Sequence, residues 1–93
     1  MSITDATLIE FKERMRIEDD GDDANLTRIL NASVLALQMS CGDYDMSNDS
    51  FKELVFERSR YAYNDALEFF NANFLTEINT LGVKKALEEI ESG

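Results

Sequence analysis

The densest group of side chains able to do chemistry is Glu18, Asp19, Asp20, Asp22 and Asp23, gathered around Gly21. Carboxylates this crowded could hold a calcium ion, but their order is wrong for it. An EF-hand loop places acids at alternate positions before its glycine and a glutamate six positions after it. Alternation here would call on Arg16, Glu18 and Asp20, and the sixth position beyond Gly21 is Thr27. The run is expected to be a turn instead, with Asp22 or Asp23 capping the next helix and Gly21 relaxing the backbone. Other chemistry is thin. The chain has no His, and its single cysteine, Cys41, rules out an internal disulfide. Cys41 falls on an apolar helical face and is expected to be a small buried hydrophobe. No zinc-like spacing, nucleophile–base pair or phosphate-cradling glycine loop is present. Tyr61 and Tyr63 are expected to pack rather than to move protons. No enzyme activity, metal or cofactor is expected.

Composition narrows the rest. The chain has 93 residues, enough for one domain with a small core. Hydrophobic residues are 44% and charged residues 30%, too apolar for a disordered chain. Proline is absent and glycine scarce, which permits long helices and argues against a turn-rich sandwich or barrel. Nineteen acids against nine bases give a formal charge of −10. That charge repels phosphates over a Debye length of roughly 10 Å and lacks the basic footprint of a DNA reader. The first residues carry neither a basic region nor a long apolar run, so no signal peptide or membrane span is expected, and the chain is expected to be cytosolic when made.

These residues are expected to sit on an all-α bundle, a single domain over 1–93. Helix one spans about 4–16. Thr4 is placed to cap it, Ile3 and Leu8 have the spacing of a hydrophobic staple, and Leu8, Phe11 and Met15 share a face. Ile17 closes it, with Arg14 and Arg16 near its carbonyl end. Helix two, about 23–41, carries Leu26, Ile29, Leu30, Ser33, Val34, Leu37 and Cys41 at helical period. Gly42 to Asp49 reads as a loop. Ser50 and Glu53 have capping-box spacing, with Ser47 as an alternative start.

Helix three, about 49–72, has two apolar stripes. One is Phe51, Val55, Ala62, Ala66 and Phe69. The other is Phe56, Tyr63, Leu67, Phe70 and Phe74. Two stripes imply burial on two sides, against other helices of the same chain or against another subunit. The subunit alternative makes Phe56, Tyr63, Leu67, Phe70 and Phe74 the candidate interface. Residues 73–82 are expected to extend the helix or form an irregular arm. A short helix over about 83–91 presents Val83, Leu87 and Ile90 on one side. A helix so short is marginal in water, so these three residues are candidates for docking on the bundle or a partner.

The opening from Ile3 to Ile17, the acidic turn and the start of helix two resemble tailed-phage head–tail connector proteins, also called adaptors or DNA-packaging proteins. Members often show a "Leu-Arg-Ile-Asp-Asp"-like run before an acidic turn, and Met15, Arg16, Ile17, Glu18 and Asp19 stand in that place. A third aromatic helix is also typical, matched loosely by Tyr61 and Tyr63. Leu81, Gly82, Val83 and Leu87 are similar to the family's closing segment without its proline, and the Gly42–Asp49 loop is short for the family. The resemblance implies a structural virion or prophage protein. It would form a ring with copies of itself, extend the portal channel, and meet the portal protein and the next tail or stopper protein. DNA would pass nearby without being specifically bound, and no membrane would be involved. The site of assembly would be the bacterial host cytoplasm and the final place the virion neck. The alternative is a small acidic regulator or DNA mimic that binds another protein. Its acids would need phosphate-like spacing, whereas here they cluster near 18–23, 43–49 and the end.

Overall fold

Thr4 begins the first helix as its position predicts: its backbone is extended and its hydroxyl accepts the Thr7 backbone N–H at 3.2 Å. The computed structural model describes residues 3–92, and every regular element among them is helical. The elements are α1 (Asp5–Met15), α2 (Asp23–Cys41), α3 (Asp49–Tyr63), a single 3-10 turn (Leu67–Phe69), α4 (Phe70–Asn73) and α5 (Leu75–Ser92).

α1 ends at Arg16, whose φ of 59° is left-handed. The Ile17 N–H donates to the Lys12 carbonyl at 2.9 Å and the Arg16 N–H to Glu13 at 3.2 Å. This double closure is a Schellman motif, usually built on glycine. The acidic turn that follows is organised by a lysine. Lys12 Nζ donates to Asp20 at 2.9 Å and to Asp23 at 2.7 Å, joining the end of α1 to the start of α2. Hydrogen bonds to Asp23 and then Asp20 hold the Lys12 ammonium above its ordinary pKa. Asp22 takes the N-cap position of α2 without a capping side-chain bond, because its carboxylate accepts from Asn25 instead.

The core is one cluster drawn from all the main helices. Phe11, Leu26, Leu30, Val34, Leu37, Cys41, Phe51, Leu54, Val55, Phe56, Phe70, Ile78 and Leu81 are buried in it. Ser33 and Ser59 are fully buried between α2 and α3. Ser59 Oγ donates to Ser33 Oγ at 3.0 Å, so neither hydroxyl is left unpaired.

Three expectations are corrected. The cap of α3 is Asn48, whose side chain accepts the Phe51 N–H at 2.9 Å; neither Ser50 nor Ser47 fills that place. α3 stops at Tyr63 rather than 72. Asp65 is left-handed at φ 59°, with Ala66 N–H bonded to Tyr61 and Asp65 N–H to Ala62. Aspartate tolerates that conformation better than most residues. Finally, the short helix expected at 83–91 starts earlier: α5 is continuous from Leu75 to Ser92 and takes in most of 73–82, where the sequence allows helix extension or an irregular arm.

Candidate functional site

The turn at Asp65 divides what reads in sequence as a continuous second stripe. Phe56 lies beside Phe11, ring centroids 5.5 Å apart, and is only 2% exposed. Beyond the turn the chain folds back, so Phe70 and Phe74 stack at 5.0 Å and both meet the Tyr61 ring edge-on. Asn73 Nδ2 donates to Tyr61 Oη at 2.9 Å and secures the return. Phe70 is 1% exposed and Phe74 half-buried. The expectation that Phe56 and Phe70 meet another subunit is therefore corrected: both are spent on the protomer's own core. Replacing Phe70 with Glu would unfold the protomer, not only its assembly. Tyr63 and Leu67 do remain exposed, joined at the turn by Phe69.

α5 has two faces. Ile78 and Leu81 are buried against the bundle, and α5 is stitched to the end of α2 by two bonds to its carbonyls. Tyr44 Oη donates to Leu81 at 2.8 Å and Cys41 Sγ to Ile78 at 3.6 Å. Lys85 lies over the Tyr44 ring, Nζ 4.4 Å from its centroid. Burial pushes the Cys41 thiol and the Tyr44 phenol above their ordinary pKa values. Gly42 sits beneath this contact at φ 108°, where an added Cβ would come within 2.6 Å of Lys85 Cγ. The opposite face of α5 carries Val83 (59% exposed), Leu87 (53%) and Ile90 (75%). From residue 86 to residue 91 every side chain is exposed, so the helix leaves the bundle there.

A second exposed apolar ridge lies on α2, at Leu35 and Met39. They were missed in the sequence because helical period had already assigned a stripe to α2. The signal was the apolar pair left over on its far side. Tyr44 was missed because it sits in a loop.

Charge is paired where α1 meets α3. Arg14 donates to both oxygens of Glu53, at 2.8 and 2.5 Å, and to Glu57 at 2.8 Å. Arg60 grips Glu57 from the other side and Lys52 reaches Glu10 at 3.0 Å. Arg14 holds the Glu53 carboxyl below its ordinary pKa; Arg60 first and Arg14 second do so for Glu57. An open groove of about 780 Å³ runs from this ladder to α5, floored by Leu54, Phe74 and Leu81. No group of three or more metal-ligating side chains lies together among the described residues.

Residues 5–72 match the family model for phage gp6-like head–tail connector proteins. The chain belongs to that family. The matched span holds α1 to α3, the turn at Asp65 and the start of α4, so the connector's helical hairpin and its central helix carry the likeness. All of α5, with Val83, Leu87 and Ile90, lies beyond it. No curated protein and no solved structure matches the connector chain. The family is structural, and no helix among the connector's described residues is long and apolar enough to cross a membrane.

Proposed function

We propose that this connector subunit assembles with copies of itself into a ring beneath the portal vertex once DNA has been packaged. The ring extends the portal channel and offers a surface to the next tail or stopper protein. Assembly takes place in the host cytoplasm, and the finished ring sits in the virion neck.

The observation that carries this reading is the family match, and the apolar surface left over supports it. With the core complete, Leu35, Met39, Tyr63, Leu67, Phe69, Val83, Leu87 and Ile90 still face solvent. Single exposed apolar side chains are normal on any protein, but runs of them at helical spacing mark contact surfaces. Tyr63 and Leu67 are the remaining contacts at the α3 turn, and Val83, Leu87 and Ile90 those on α5. The formal charge of −10 suits a channel wall along which DNA slides. Such a wall gains nothing from counterion release and does not hold the duplex.

Light scattering and electron microscopy of the purified chain, alone and with its cognate portal, test this. Closed rings in either condition support it, and monomers in both would overturn it.

A further inference from the structure

Resting on the ring reading, we propose that the ring closes through one unlike pair of surfaces. The projecting end of α5 of one copy lies along the outer face of α2 of the next. The two surfaces are opposite in charge and alike in greasiness. Residues 24–42 contain no acid at all in a chain with nineteen. Their outer face lines up Arg28, Ala32, Leu35 and Met39, all exposed and spaced for one side of a helix. Arg28 bonds the Asn25 side chain and has no carboxylate partner among the described residues. Nearby, at the seam with α3, the half-buried Arg58 donates to Ser33 at 3.2 Å and likewise pairs with no acid.

The end of α5 is the converse. It carries Val83, Leu87 and Ile90 on one side, flanked by Glu91, and its last turn has no base. Acids at a helix carboxyl end oppose the helix dipole, and an undocked end of two turns is marginal in water. A surface that is apolar and cationic relieves both problems, and α2 provides one. Within a single protomer neither ridge covers the other, since Leu35, Met39, Val83, Leu87 and Ile90 are all exposed at once. Used once per subunit, two different patches on one chain make a head-to-tail contact, which closes into a ring when the rotation permits.

The test uses two double variants of the full chain, Leu35→Glu with Met39→Glu and Leu87→Glu with Ile90→Glu. All four positions are exposed, so helical circular dichroism should match the wild type. Each variant alone should stay monomeric in analytical ultracentrifugation under conditions where the wild type forms rings. Mixed together, they should form a one-to-one pair that grows no further, because each supplies the patch the other lacks. As a milder variant, Arg28→Glu should weaken assembly about tenfold, and Glu91→Arg in the same chain should restore it. Rings that survive in both double variants would overturn this inference and leave the ring reading standing. Rings of Leu87→Glu with Ile90→Glu that no longer seat on the portal would assign the α5 ridge to the portal and also overturn it. Wild-type monomers under every condition would end both.

Discussion

The α1–α3 seam and the last two turns of α5 are both helical, both charged and both at the edge of the bundle, yet they differ in what holds them. At the seam, both helices start on a side-chain cap and the facing charges are paired. Arg14 makes a forked bond to Glu53 and reaches Glu57, while Lys12 closes the turn to α2. At the end of α5 no side chain is buried beyond Lys85 and the acids oppose their own dipole. The outline agrees with this: the radius of gyration is 13.8 Å, against about 12 Å for a compact chain of this length. One part of the molecule completes itself, and the other projects from the bundle with its apolar ridge uncovered.

That contrast can be broken or sharpened by substitution. The largest effect should come from Phe70→Ala, which empties a core site and should cost about 3–5 kcal/mol in chemical denaturation. The same change at exposed Phe69 should cost less than about 0.5 kcal/mol. Gly42→Ala should come next, at about 1–2 kcal/mol, because its backbone is left-handed and Lys85 must move aside.

Arg14→Gln should cost about 1 kcal/mol near neutral pH, as expected for a part-exposed forked pair. Its pH dependence is diagnostic. Glu53 and Glu57 are held below their ordinary values, so their contribution is complete above about pH 4.3 and lost as pH falls through their folded values. Thermal melts should therefore show a steeper acid loss in the wild type than in Arg14→Gln, with part of the slope kept in the variant by Arg60. Arg16→Gly should stabilise the fold by about 0.5–1 kcal/mol by relieving the left-handed cap of α1. The smallest effect on the protomer should be removal of residues 86–93, within about 0.5 kcal/mol, while self-association is lost.

The sequence made the first half of this fold readable because local chemistry and tertiary packing agree there. Thr4 caps, the period of α2 marks its buried face, and the turn at 18–23 falls where the glycine and acids put it. It misled where a single backbone angle mattered more than pattern. Asn64 and Asp65 look like two polar positions inside a long amphipathic helix, but Asp65 turns left-handed and sends Phe70 inward. Gly82 and the neighbouring Asn79 look like helix breakers. In the fold, α5 passes along the end of α2, with the position of a Gly82 Cβ 3.5 Å from the Ser40 carbonyl oxygen, and that packing carries the helix through. Of the expected interface, Tyr63, Leu67, Val83, Leu87 and Ile90 are on the surface and Phe56 and Phe70 are not. Period alone identifies an apolar face, and it is the chain reversal that decides which faces the same protomer covers.

The central claim is that α5 leaves its own bundle after Lys85 and is completed by another copy. Amide hydrogen exchange on the isolated and the assembled chain addresses it directly. The account predicts fast exchange for residues 86–91 in the monomer and marked slowing in the ring, with Val34 and Val55 slow in both. Slow exchange at 86–91 in the monomer, or unchanged fast exchange there after assembly, would contradict it.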